Sequence, residues 1–260
     1  MLKKLLKYDT KAIANTLFPI YGITLALAIL ARIFIQIKDM SAVFRMPMGL
    51  VTGLSILLTM SIPFVTFIVG IDRFNKQITK DEGYLTHTLP VKKSTIIASK
   101  LLVQILFQIL SMIVLFASIC IIGHISLQQI KDFIEAAFEI FKEYKVLTPT
   151  LILSLMLAGY IVITLLVYTA ISLGQRHATN KGKLAVLYGA ILYVVQQLIT
   201  AAVFTPLLNN ESFIRELEKT LPSAAVLNLS LGISLVVLVL TAAIYFILTT
   251  KNLEKKLNLE

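Results

Sequence analysis

The chain has 260 residues, 57% of them hydrophobic and 15% charged, and its mean hydropathy is +0.86. Soluble proteins carry charge on about a quarter of their residues, so these values point to an integral membrane protein. The net charge of +10 would suggest nucleic acid in a soluble chain, but here the basic residues sit in short connections beside apolar runs. Membrane orientation and anionic lipid account for them there; membrane lipid is an expected partner and nucleic acid binding is not supported.

Met1 to Lys11 sets Leu2, Leu5, Leu6 and Tyr8 among Lys3, Lys4, Lys7 and Lys11, a pattern that predicts a short N-terminal interfacial helix with snorkelling lysines. The apolar run that follows, Ile13–Ile37, is too long for a signal-peptide core and has no small-residue cleavage site, so it reads as a first span, over 13–37. Pro19 is a candidate bend within it. Lys38–Arg45 reads as an outer loop and 46–71 as the second span. Gly49 and Gly53, four apart, predict close helix packing there, and Pro63 removes one backbone hydrogen bond.

Asp72 to Lys100 is the one long basic connection between apolar runs, with Arg73, Lys76, Lys80, Lys92, Lys93 and Lys100 around the acidic pair Asp81-Glu82. The positive-inside rule keeps such a segment in the cytoplasm. It also has local order: Gly83 can break a helix, Tyr84, Leu85 and Leu89 are apolar, Pro90 is a stop, and Ser94-Thr95 can cap the next helix. The third span, 97–122, carries Gln104, Gln108 and Ser111 near helical repeats, polar groups that must face protein or water. They are candidates for a substrate path or for interhelical hydrogen bonds. Cys120, the single cysteine, lies in this run as a small packing residue.

Between His124 and Thr148, Leu127, Ile130, Ile134, Ala137, Phe138, Phe141 and Tyr144 recur at three and four. Lys131, Asp132, Glu135, Glu139, Lys142 and Glu143 fill the opposite face. This predicts an amphipathic helix too charged to span, lying outside, flat on the membrane or folded over a pore mouth. Spans over 151–173, 184–208 and 224–249 follow, separated by the basic inner loop Gln175–Lys183 and the outer loop Asn209–Ser223. Gln196 and Gln197 lie mid-span, also as candidate path residues; neighbours on a helix point about 100° apart, so at most one comfortably faces a pore. Placing both termini inside gives the inner segments a net +10 and the outer ones zero, which favours this topology over its inverse.

The order Asp81-Glu82-Gly83-Tyr84-Leu85, Leu89-Pro90, a basic pair, then Ser99-Lys100 entering a span resembles the intracellular loop of bacterial ABC-2 type ABC transporter permeases. The opening Leu5-Leu6-Lys7-Tyr8-Asp9 before a Pro-containing span is similar to the start of many of them. The resemblance implies an all-α, polytopic protein of six transmembrane helices, a single permease domain over 1–260 in the bacterial cytoplasmic membrane. It implies a coupling helix over 81–90 docked on cytosolic ABC ATPase subunits, with ATP and magnesium held by those partners and no cofactor by this chain. A second permease subunit, identical or homologous, would complete the unit, and the transport direction would be outward. Spans rich in Leu, Ile, Val and Phe suit a hydrophobic or peptide-like substrate.

The residues by themselves point the same way on energy. No P-loop, HExxH, GxSxG or cysteine cluster is present, so the chain is not expected to be an enzyme or to bind metal, and it has no phosphate cradle of the usual kind. No Asp or Glu falls in any of the six predicted spans, which disfavours an ion-coupled carrier. An ion-coupled secondary transporter and a non-transporting membrane sensor or assembly factor are the competing classes.

Overall fold

The computed structural model describes residues 2–37, 42–79, 91–143, 147–177, 179–209 and 223–254. They form helices α1 (Leu2–Gln36), α2 (Ala42–Thr79), α3 (Lys93–Ile122), α4 (Leu127–Glu143), α5 (Leu147–Gly174), α6 (Lys181–Asn209) and α7 (Ser223–Glu254). All except α4 are long and apolar enough to cross a membrane, matching the six spans read from the sequence in number and order. The chain is a multi-pass, all-helical membrane protein.

Several boundaries differ from the sequence reading. α1 is continuous from Leu2, so the basic N-terminal segment and the first span are one helix, unbroken at Pro19. Its buried residues Asp9, Ile13, Leu17, Tyr21, Thr24, Ala28 and Ala31 follow one stripe at steps of three and four. That stripe leaves no register break at which a separate helix would begin. α2 runs two turns past Ile71, because Phe74 is buried and Asp72 pairs with Lys76 at 2.5 Å across one turn. α3 starts at Lys93, ahead of the expected cap at Ser94-Thr95, with the Lys92 carbonyl accepting from Thr95 N at 2.9 Å.

Met1–Gln77 with Ala98–Ile134 make one compact unit, and Ile78–Ile97 with Glu135–Glu260 a second. In the first, Ile13, Leu17 and Tyr21 of α1, Ile62 of α2, and Val103, Phe107 and Val114 of α3 form a shared core. Asp9 meets Ser99, and Tyr21 meets the Phe107 carbonyl, so α1 and α3 run parallel. Gln77 meets Lys100 and Phe67 meets Gln104, so α2 runs antiparallel to both. In the second unit α5 packs on α6 and α7. Thr148 with Asn228, Thr169 with Thr249, and Ser172 with Asn252 are each 80 residues apart, which makes α5 and α7 parallel and in fixed register.

Lipid is as apolar as leucine, so helices in a bilayer adhere through close packing and polar contacts rather than hydrophobic transfer. Gly70 shows the first: a Cβ there would fall on the Gln104 side-chain amide, which lies over α2 and donates to the Phe67 carbonyl at 3.5 Å. Gly70→Ala should destabilise the protein by about 1–3 kcal/mol through overpacking. The pair Gly70→Ala/Gln104→Ala should recover much of that in thermal unfolding; a double variant no better than the single would contradict the contact.

Candidate functional site

A buried polar cluster in the first unit lies where α2 ends and α3 begins. Asp9, on the second helical turn of α1, points along the same stripe as Ile13 and Leu17 and is buried. Ser99 Oγ donates to Asp9 Oδ2 at 2.7 Å, and Lys100 Nζ stands 3.5 Å from Asp9 Oδ1. The two charged side chains are 10% and 8% exposed, so solvent does little to screen them. Lys100 Nζ also donates to Gln77 Oε1 on the last turns of α2. One carboxylate and one ammonium therefore bind the N-terminal ends of α1 and α3 and the C-terminal end of α2 into a single foot.

Above that foot a second tie joins the same three helices. Tyr21 OH lies 2.8 Å from Thr66 Oγ1 and donates to the Phe107 carbonyl at 3.3 Å, while the Phe18 and Phe107 rings pack at 6.2 Å. The second unit has a comparable seam. Thr169 and Thr249 hydroxyls are 2.9 Å apart, Tyr245 OH donates to Gln196 Oε1 at 3.3 Å, and Asn252 Nδ2 donates to Ser172 Oγ at 3.2 Å. At its charged end Arg176 donates to Asn252 Oδ1. Each unit thus carries an internal polar seam that ends in a basic residue bonded to side chains of a neighbouring helix.

The residues picked from the sequence distribute as follows. Asp81, Glu82, Gly83, Tyr84, Leu85, Leu89 and Pro90 lie outside the described residues. Ser99 and Lys100 belong to the foot. Gln104 is 1% exposed and sits in the α2–α3 contact over Gly70. Gln108 is half-buried, and its Oε1 is buried with no hydrogen-bond partner among the described residues. Gln196 is buried against Tyr245, whereas Gln197 is exposed, so the two glutamines divide between helix contact and outer surface. A Cβ at Gly49 or Gly53 would meet nothing within 4 Å among the described residues.

Asp9 is what reasoning by spans missed. It precedes the predicted first span, 13–37, in the stretch expected to lie on the membrane surface, yet α1 carries it, buried, in the same continuous helix as that span. Its position one helical repeat before Ile13, Leu17 and Tyr21 was the available signal. Gly70 and Gln77 left none, since neither residue type announces a partner on another helix. Comparison with protein-family models, curated proteins and solved structures finds no match to the chain.

Removing one partner of a buried ion pair strands the other charge, at a cost of about 3–5 kcal/mol. Asp9→Ala should therefore lower thermal stability strongly, whereas Asp72→Ala, which removes half of the solvent-exposed Asp72–Lys76 pair, should cost about 1 kcal/mol or less. Equal effects of the two substitutions on the melting temperature in detergent would contradict the assigned burial.

Proposed function

We propose that the chain is the membrane-spanning permease subunit of an ABC exporter, driven by ATP hydrolysed on a separate cytosolic subunit that docks on the connection between α2 and α3. The observation that supports this best is the Asp9–Ser99–Lys100 contact. It joins the two stretches in which the sequence resembles ABC-2 permeases, the opening ending in Tyr8-Asp9 and the Ser99-Lys100 entry to the third span, across 90 residues of sequence. The connection's two ends, at Gln77 and Lys100, are bonded to each other, and Lys100 is bonded in turn to Asp9 of α1. A displacement of residues 80–92 by a docked ATPase would then move three helices together rather than bend a loose loop.

In this reading Asp81, Glu82, Gly83, Tyr84, Leu85, Leu89 and Pro90 make the docking element. Two permease subunits and two ATPases form the working unit, both termini face the cytoplasm of a bacterial cell, and the substrate leaving it is hydrophobic or peptide-like. The long apolar faces of α1–α3 and α5–α7 suit passage of such a substrate beside lipid better than passage of a sugar.

A second reading rests on Asp9 itself. A carboxylate buried in a span-length helix beside a lysine is a frequent element of ion-coupled carriers, because a bound ion can replace the lysine as its partner. The two readings separate by experiment. Tagged protein drawn from native membranes in mild detergent should bring down an ABC ATPase. The double variant Glu82→Lys/Leu85→Asp should insert normally and lose that ATPase. An unchanged complex in the double variant would contradict the docking role, and proton movement in ATP-free vesicles under an imposed sodium gradient would favour the carrier.

A further inference from the structure

α3 ends with a built turn. Gly123 N donates to the Ile119 carbonyl at 2.9 Å, Ile125 N to the Cys120 carbonyl at 3.1 Å, and His124 between them takes a left-handed φ of 54°. This bond pattern closes a helix C-terminus and redirects the chain. α4 then starts at once: Ser126 N donates to Gln129 Oε1 at 2.8 Å while Gln129 N donates to Ser126 Oγ at 3.2 Å, a reciprocal cap. The direction change is thus fixed at the point where the span ends. Within the first unit this is the opposite end of α3 from the Asp9–Lys100 foot.

The surface that α4 presents is sorted in three bands. Leu127, Phe133 and Phe138 are 81%, 64% and 64% exposed, and with Ile130, Ile134 and Ala137 they share an arc of roughly 140° at about 100° per residue. Lysine positions 131 and 142 fall on one edge of that arc, roughly 90–110° from its centre. Asp132, Glu135 and Glu139 fall roughly 130–170° away, on the far side. On the second turn of α4, the Phe133 ring lies 6.3 Å from that of Phe116, which is itself exposed on α3. At Phe133 the apolar arc therefore meets an exposed apolar side chain of a helix long and apolar enough to cross a membrane.

We infer that α4 is a lipid-surface helix, seated half-immersed in the leaflet opposite the Asp9–Lys100 foot, its apolar arc among the upper acyl chains of phospholipids. The radial sorting identifies the occupant. In a half-immersed helix the edge lies level with the phosphates, where a lysine gains a charge-assisted contact, and the far side stands in water, where carboxylates are fully solvated. A pore mouth or a second protein copy would need the aromatic arc covered but gives no reason to rank lysines between it and the acids. With two lysines against four acids along the helix, phosphatidylcholine-type headgroups suffice and anionic lipid adds nothing. This depends on the chain crossing a bilayer and not on what powers it.

The chain contains no Trp, so a single introduced indole is an unambiguous reporter. Full-length Phe138→Trp, Phe133→Trp and Glu139→Trp variants reconstituted in phosphatidylcholine vesicles would be quenched in parallel by lipids brominated near the headgroup end of their acyl chains and by aqueous iodide. The expected result is strong bromine quenching with little iodide quenching for Phe138→Trp and Phe133→Trp, and the reverse for Glu139→Trp, unchanged when anionic lipid is added. Resistance of both phenylalanine positions to both quenchers would mean that protein covers the arc and would overturn the inference, as would iodide access equal at all three positions.

Discussion

A charge taken out of water inside a membrane protein must find its opposite, and this requirement fixes the first half of the molecule. Asp9 and Lys100 are both nearly inaccessible, and removing either would leave the other buried without its opposite charge. Their pairing sets the register of α1 against α3, and the Lys100–Gln77 bond brings the end of α2 to the same point. Once the foot is set, the Tyr21 hydroxyl meets Thr66 and the Phe107 carbonyl without further adjustment, and the Gln104 amide finds the gap left by Gly70. Packing here follows from a few polar bonds because the surrounding hydrocarbon gives helices little reason to prefer one another.

The second unit reaches a similar end with neutral groups along its seam and one cation, Arg176, at its close. Its seam runs from Thr148–Asn228 through Thr169–Thr249 to Ser172–Asn252, and the constant offset of 80 residues means that no bond in it conflicts with another. Threonines in a spanning helix ordinarily return their hydroxyl to the preceding turn, and Thr169 and Thr249 both do so while still lying within bonding distance of each other. Such contacts are individually modest, about 1 kcal/mol or less in bilayers. Their shared register rather than their strength makes α5 and α7 a unit.

What the sequence disclosed and withheld follows from the same physics. Span number and order were legible because length and hydropathy alone decide which segments enter lipid. The amphipathic helix was legible because its periodicity is local, and the capping pair Ser126–Gln129 sits within four residues. Helix ends were less so: α2 outruns its apolar stretch because buried Phe74 and the Asp72–Lys76 pair prolong it, features invisible to a hydropathy window. In the site, Ser99, Lys100 and the Tyr8-Asp9 opening stood out as sequence motifs, yet their mutual contact did not, since a bond across 90 residues depends on the parallel course of α1 and α3. Gln196 and Gln197 illustrate the limit: their spacing required them to part, but which of them meets Tyr245 depends on the rotation of α6 against α7.

Exchange of the two charges at the foot probes this account most directly. Asp9→Lys and Lys100→Asp would each place like charges together, and the double variant would restore an opposite pair with its polarity reversed. The account predicts that thermal stability, measured on full-length protein in detergent, falls sharply in each single variant and returns substantially in the double. A double variant as unstable as the sum of the singles, or single variants indistinguishable from the parent, would contradict it.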